Sequence, residues 1–139
     1  MLNKKLLLTT MLALSLCSVQ ARPLNEIQES GTLKVGVPGD YAPLAFYKDD
    51  LLVGYDIDVA NALSNDWNLK LEFVPTSWPT LAQDLEADKF DIAMGGISFT
   101  QDRNEKFLLT KPLIPDGKVV MAQCEKAANL KTLEEINQP

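Results

Sequence analysis

Pro75-Thr76-Ser77-Trp78-Pro79-Thr80-Leu81, then Asp91-Ile92-Ala93-Met94-Gly95-Gly96-Ile97-Ser98, then Arg103, is the run that decides how this chain folds. It reads as a strand end, a helix, and a second strand that runs into two glycines. A hydroxyl, a short helix start at Thr100 and a fixed positive charge follow. Open α/β folds bind ligands at the carboxyl ends of their strands, and helix N-termini attract anions. The run therefore predicts a pocket for a small carboxylate at the carboxyl edge of a parallel sheet.

The flanking sequence supplies the rest of that sheet. Leu69 to Val74 is rich in apolar and aromatic residues and reads as the strand that enters the run. Ser77 is placed to cap the following helix, with Pro79 in its first turn and Leu81, Ala82 and Leu85 facing inward. Phe90 to Met94 reads as a buried strand. Further upstream, Pro23 to Ser30 is a short amphipathic lead-in ended by Gly31, and Thr32 to Val37 is a first strand. Pro38-Gly39-Asp40-Tyr41 turns the chain there. Two apolar runs around Lys48-Asp49-Asp50 make a hairpin. Asp56 is the expected N-cap of a helix whose stripe is Ile57, Ala60, Leu63 and Trp67. Strand–helix–strand–helix–strand at this spacing implies right-handed crossovers, hence an α/β fold with an open, mostly parallel sheet and flanking helices.

Downstream, Phe107 to Leu113 and Val119 to Gln123 are strand-like around the turn signal Pro115-Asp116-Gly117-Lys118. Leu130 to Ile136 begins a helix.

The amino terminus is not part of this fold. Lys4 and Lys5 precede an apolar stretch from Leu6 to Val19, and Val19-Gln20-Ala21 has the small residues of a cleavage site. Residues 1–21 are therefore expected to be a signal peptide that is removed in the periplasm. Their loss takes two of the 13 basic residues, leaving 11 against 19 acidic ones and a net charge of −8. Such a surface disfavours nucleic acid and anionic lipid, so a cation in a pocket stands out against it. The chain has no histidine, which excludes His-based triads and His-ligated zinc within it. After cleavage Cys124 is the one cysteine left, read either as a buried inert thiol or as half of a bridge.

Gly54-Tyr55-Asp56-Ile57-Asp58-Val59, together with Gly96-Ile97-Ser98-Phe99-Thr100 and Arg103, resembles the family 3 extracellular solute-binding proteins, which have the two-lobed type II periplasmic-binding fold. Ser64 and Trp67 depart from the small and apolar residues that usually end the helix signature. Gly39-Asp40-Tyr41, Pro75-Thr76-Ser77-Trp78-Pro79, Asp91-Ile92-Ala93-Met94 and Asp116-Gly117-Lys118 are similar to the cyclohexadienyl dehydratase branch of that family. The resemblance implies that residues 22–124 are the first lobe and residues 125–139 the crossing into a second lobe, which is missing here. It further implies a periplasmic carbon–oxygen lyase converting prephenate or arogenate to phenylpyruvate or phenylalanine, without metal or cofactor. Half a clamshell cannot desolvate its ligand, so a chain of this length alone is expected to be inactive.

The candidate residues follow. Arg103 is expected in the first turn of the helix that Thr100 caps, where helix N–H groups and a guanidinium fork converge on one carboxylate. Gly96, Ser98 and Thr100 either donate to that carboxylate or serve the turn and the cap. Trp78, and Tyr41 with it, either form an aromatic wall or pack in the core. Asp40 is either an Asx-turn residue or a carboxyl that acts on the substrate hydroxyl. Lys118 is either a solvated turn lysine or, by the resemblance, a second cation facing the ligand. The resemblance also implies that the main acid is a glutamate of the second lobe. The alternative function is a receptor for an amino-acid-like ligand that docks on an inner-membrane ABC permease; Arg103 serves both.

Overall fold

The computed structural model describes residues 22–115, 123–127 and 132. They divide into two compact units, one ending at Ile97 and the other starting at Ser98. The first unit contains α1 (Leu24–Ser30), β1 (Thr32–Val37), β2 (Asp40–Tyr41), β3 (Ala45–Lys48), β4 (Leu51–Val53), α2 (Tyr55–Asp66), β5 (Lys70–Pro75), α3 (Leu81–Glu86) and β6 (Ile92–Ala93). The second contains α4 (Gln101–Lys106) and α5 (Cys124–Ala127).

Two three-stranded sheets make up the first unit, in the orders β5-β1-β6 and β2-β3-β4. The first is parallel, with Val35 opposite both Phe73 and Ile92. As its central strand, β1 is covered on both sides, and Leu33, Val35 and Val37 are almost wholly buried. Ile27 from α1, Ala45 from β3, and Ile57 and Ala60 from α2 complete the core. Trp67 and Leu63 pack against it from the end of α2, as their place on the helical stripe implies. Ser64 is buried there too, and its hydroxyl donates to the Asn61 carbonyl at 3.0 Å, so the polar residue costs the core no unpaired group.

The second sheet is larger than expected. Lys48-Asp49-Asp50 does make the hairpin, with Asp49 and Asp50 both at positive φ, the conformation that two-residue hairpin turns require. The Asp40–Tyr41 pair, read as a simple turn, instead forms the short strand β2 against Ala45 and Phe46.

Three helix expectations need correction. Ser77 does not cap α3 with its side chain: its carbonyl accepts the N–H groups of Thr80 and Leu81, and the helix begins at Leu81. Of the residues expected to face inward from α3, Ala82 is exposed, and Asp84 is buried beside Leu81 instead. Asp56 lies inside the first turn of α2, and Gly54 occupies the N-cap. The Tyr55 and Asp56 N–H groups donate to the carbonyls of Pro43 and Leu44, so a neighbouring loop does the work of a cap. Only glycine fits at position 54: its φ is 134°, and a Cβ would strike the Leu44 carbonyl.

Phe107 to Leu113 is not a strand. Strand formation needs a partner for its backbone groups, and among the described residues this run has none, with Leu108 left fully exposed. Residues 119–122 and all of the expected helix from Leu130 except Thr132 lie outside the described residues, as do residues 1–21.

Candidate functional site

The three parallel strands end together at Val37, Pro75 and Ala93, and the chain places its candidates in the residues just beyond. Asp40 and Tyr41 follow β1, Trp78 follows β5, and Gly95-Gly96 follows β6. Trp78 Nε1 donates to Asp40 Oδ1 at 2.8 Å across 38 residues of sequence. The Tyr41 ring meets Trp78 edge to face, with centroids 6.3 Å apart and an interplanar angle of 80°. Asp40, Tyr41 and Trp78 are all exposed, so the cluster presents two rings and a carboxylate at the surface of the unit.

The turn that carries Trp78 is pinned at its root. The Thr76 N–H donates to the Val37 carbonyl at 3.1 Å, and the Thr76 hydroxyl donates to Asp84 Oδ2 at 2.6 Å. Lys89 Nζ donates to the other oxygen of Asp84 at 2.6 Å. The hydrogen bond from Lys89, and then that from Thr76, hold the Asp84 carboxyl down at about 2, against an ordinary 3.8. Folding thus favours the ionised form, and this stabilisation is complete above 3.8 and disappears as pH falls toward about 2. Asp84→Asn is expected to lower the urea midpoint at neutral pH and to match the parent protein at about pH 2. An equal deficit at both pH values would remove Asp84 from the acid limb.

Gly96 is positioned from below. Its φ is 80°, and a Cβ there would collide with the Tyr41 ring and with Leu44. Its N–H donates to Asp56 Oδ2 at 2.7 Å, and the Gly95 N–H donates to the same oxygen at 2.8 Å. The Gly96 amide is therefore committed to Asp56 within the protein, and what Gly96 offers a ligand is the space that lets Tyr41 stand close. Sequence reasoning missed this use of Asp56. The signal was an acidic residue inside the Gly54-Tyr55-Asp56 motif and, far along the chain, two adjacent glycines whose amides needed an acceptor.

In the second unit Thr100 caps α4, its hydroxyl accepting the Arg103 N–H at 3.3 Å. Arg103 stands in the first turn, as its spacing from Thr100 predicts. Its Nη1 donates to the Ser98 carbonyl at 2.9 Å, which fixes one arm of the guanidinium. Among the described residues the rest of the fork donates to no protein acceptor. Lys118 lies outside the described residues. Cys124 is a free, exposed thiol at the start of α5, which corrects its reading as a buried side chain.

A central parallel sheet with helices packed on it, and Asp40, Tyr41, Trp78 and Gly96 just past its carboxyl edge, defines the class: an α/β protein of the type II periplasmic-binding kind. The bacterial extracellular solute-binding proteins, family 3, match residues 33–138, and the chain belongs to that family. It is 39% identical over 130 residues to the cyclohexadienyl dehydratase of Pseudomonas aeruginosa, covering 93% of this chain and 48% of that protein. Among solved structures it is similar to an ancestral cyclohexadienyl dehydratase (TM-score 0.67, 48% identity, 86% of this chain and 50% of the other). It is also similar to an ancestral amino acid-binding protein described as a precursor of that enzyme (TM-score 0.73, 36% identity, 83% and 51%). The chain spans about half the length of the proteins it matches.

Proposed function

We propose that this chain carries the first-lobe half of a periplasmic dehydratase that turns prephenate or arogenate into phenylpyruvate or phenylalanine. Residues 1–21 are its signal peptide, residues 22–124 the lobe and residues 125–139 the start of the crossing to a second lobe. The observation that carries this is the Trp78–Asp40 hydrogen bond beside the Tyr41 ring, in a chain similar along most of its length to cyclohexadienyl dehydratases.

In the proposed reaction the bond from the ring to its carboxylate breaks, and the electron pair enters the ring. Carbon dioxide leaves, the C–O bond breaks, and the hydroxyl departs with a proton as water. Arg103 anchors the side-chain carboxylate, whose charge persists throughout, with Ser98 and Thr100 beside it in sequence as further donors. The ring carboxylate loses its charge, so a tight grip on it would stabilise the ground state and slow the step. Lys118, a point charge on a flexible stem, suits that end better than a bidentate arginine. Tyr41 and Trp78 wall the ring and exclude water. Asp40, its Oδ1 held by Trp78, acts through its other oxygen on the hydroxyl or on the group that protonates it.

One observation favours a second reading. An exposed carboxylate bonded to the Trp78 ring, which itself meets Tyr41, also suits an ammonium group, which an amino-acid receptor of an ABC transporter must bind. The test is to incubate the purified full-length protein with prephenate and follow the appearance of phenylpyruvate, with amino-acid binding measured calorimetrically alongside. Turnover supports the dehydratase; tight amino-acid binding without turnover overturns it in favour of the receptor. Lys118→Met is expected to cut turnover about tenfold or more while changing affinity far less. Equal turnover would return Lys118 to the solvated turn.

A further inference from the structure

Asp56 is a buried carboxylate with an unusual task. It sits in the first turn of α2, the region where a helix favours an acidic side chain, yet it makes no bond to its own helix N-terminus. Both bonds of its Oδ2 go to adjacent backbone amides, at Gly95 and Gly96, 39 and 40 residues away. The backbone of the same turn is tied elsewhere: the Tyr55 and Asp56 N–H groups hold the carbonyls of Pro43 and Leu44 at 3.1 and 2.9 Å. Leu44 in turn donates its N–H to the Tyr41 carbonyl at 2.9 Å. One helical turn thus grips the loop between β2 and β3 through its backbone and the loop after β6 through a side chain. Tyr41 and Gly96 meet where those loops converge, so closely that a Cβ on residue 96 would enter the Tyr41 ring. Beyond Tyr41 the contacts continue to Trp78 and from Trp78 to Asp40.

We infer that Asp56 is the positioning residue of this site: by holding Gly95 and Gly96 down, it sets the floor on which the Tyr41 ring stands, and through Tyr41 the pose of Trp78. It touches no ligand. Gly95 and Gly96 both have positive φ, so the bend at the end of β6 is held by its acceptor more than by residue preference at neighbouring positions. An amide in place of the carboxylate sets either a neutral oxygen or an N–H donor against both glycine N–H groups, which share Oδ2, and the bend relaxes toward Tyr41. The link from this floor to ligand selectivity rests on the function proposed above; the link to the aromatic pair does not.

The experiment uses the full chain in a Trp67→Phe background, so that the emission reports Trp78. Asp56→Asn and Asp56→Ser are compared with the parent, and Gly96→Ala serves as the standard for a displaced Tyr41. The expected result is that each Asp56 variant that retains the parent far-UV spectrum shifts the Trp78 emission to the red. It is also expected to lose the near-UV band of the Tyr41–Trp78 pair, as Gly96→Ala does. Parent-like Trp78 signals in a folded Asp56 variant, with only a lower melting temperature, overturn the inference and leave Asp56 as a plain brace. Loss of the folded far-UV spectrum in both Asp56 variants also overturns it, because the carboxylate then holds the unit and not the site. Calorimetry on the full-length protein with L-phenylalanine and with prephenate then reads the functional half. A severalfold change in the ratio of the two affinities is expected in the same variants. If the parent binds neither probe, the proposed function fails, while the optical result still decides the role of Asp56.

Discussion

Arg103→Ala is expected to weaken binding of prephenate, or of an amino-acid ligand, by about tenfold or more, because the ligand carboxylate loses the charge-assisted bonds of the guanidinium fork. The geometry behind this is local to the second unit. Thr100 caps α4 and places Arg103 in the first turn, where the N–H groups of the helix start also point outward. The Ser98 carbonyl takes one arm of the guanidinium and holds the plane, which reduces the side-chain entropy lost when the other arm engages a carboxylate. Arg103→Lys keeps the charge and loses the fork, so an intermediate loss is expected. Calorimetric titration of the full-length protein measures both, and an unchanged dissociation constant for Arg103→Ala would exclude it as the anchor. Because the dehydratase and the receptor both need this carboxylate held, the result tests the site and not the choice between them.

The second large effect concerns stability. Arg22, the residue that the proposed cleavage leaves at the amino terminus, pairs with Asp91 bidentately: Nε donates to Oδ1 at 2.8 Å and Nη2 to Oδ2 at 2.7 Å. The Lys34 N–H donates to the same Oδ2 at 2.8 Å, just where β1 passes the start of β6. The Asp91 side chain is 3% exposed and that of Arg22 28%. The carboxylate is thus the desolvated partner, and the hydrogen bond to it raises the Arg22 pKa further above its ordinary value. Arg22→Ala leaves a buried charge with a single backbone donor and is expected to cost about 2–3 kcal/mol, somewhat below the range for wholly buried pairs. Urea unfolding of the mature protein measures it. A loss within the spread of surface pairs, below about 1 kcal/mol, would show that water reaches Asp91 once the arginine is gone.

Much of the first unit was legible from local pattern. The apolar run Thr32 to Val37 and the alternating run before Pro75 became β1 and β5, and the stripe Ile57, Ala60, Leu63, Trp67 faces the core, because burial period follows directly from strand and helix geometry. Thr100 and Arg103 were legible for the same reason, since a cap and a first-turn residue are neighbours in sequence. Legibility failed where a group's partner lay far along the chain. Asp56 looked like a cap because Asp is a good one, but the carbonyls of Pro43 and Leu44 satisfied the helix start and freed its carboxylate for Gly95 and Gly96. Asp84 was not among the α3 residues expected to face inward, because its partners Thr76 and Lys89 stand outside the helix. Phe107 to Leu113 had strand composition, and composition does not provide a neighbouring strand.

The sequence by itself determined most elements of the first unit, their order, the parallel sheet and the edge at which Asp40, Tyr41, Trp78 and Gly96 gather, because each depends on periodicity, turn residues and crossover handedness within short spans. Only the tertiary structure decided which groups answer one another at that edge: Trp78 with Asp40, Gly96 beneath Tyr41, Asp56 beneath Gly95 and Gly96, and Arg22 on Asp91. Those pairings span roughly 40 to 70 residues of chain, and hydrogen-bond satisfaction in a buried or half-buried setting is settled by what the fold brings within about 3 Å, which no local pattern encodes.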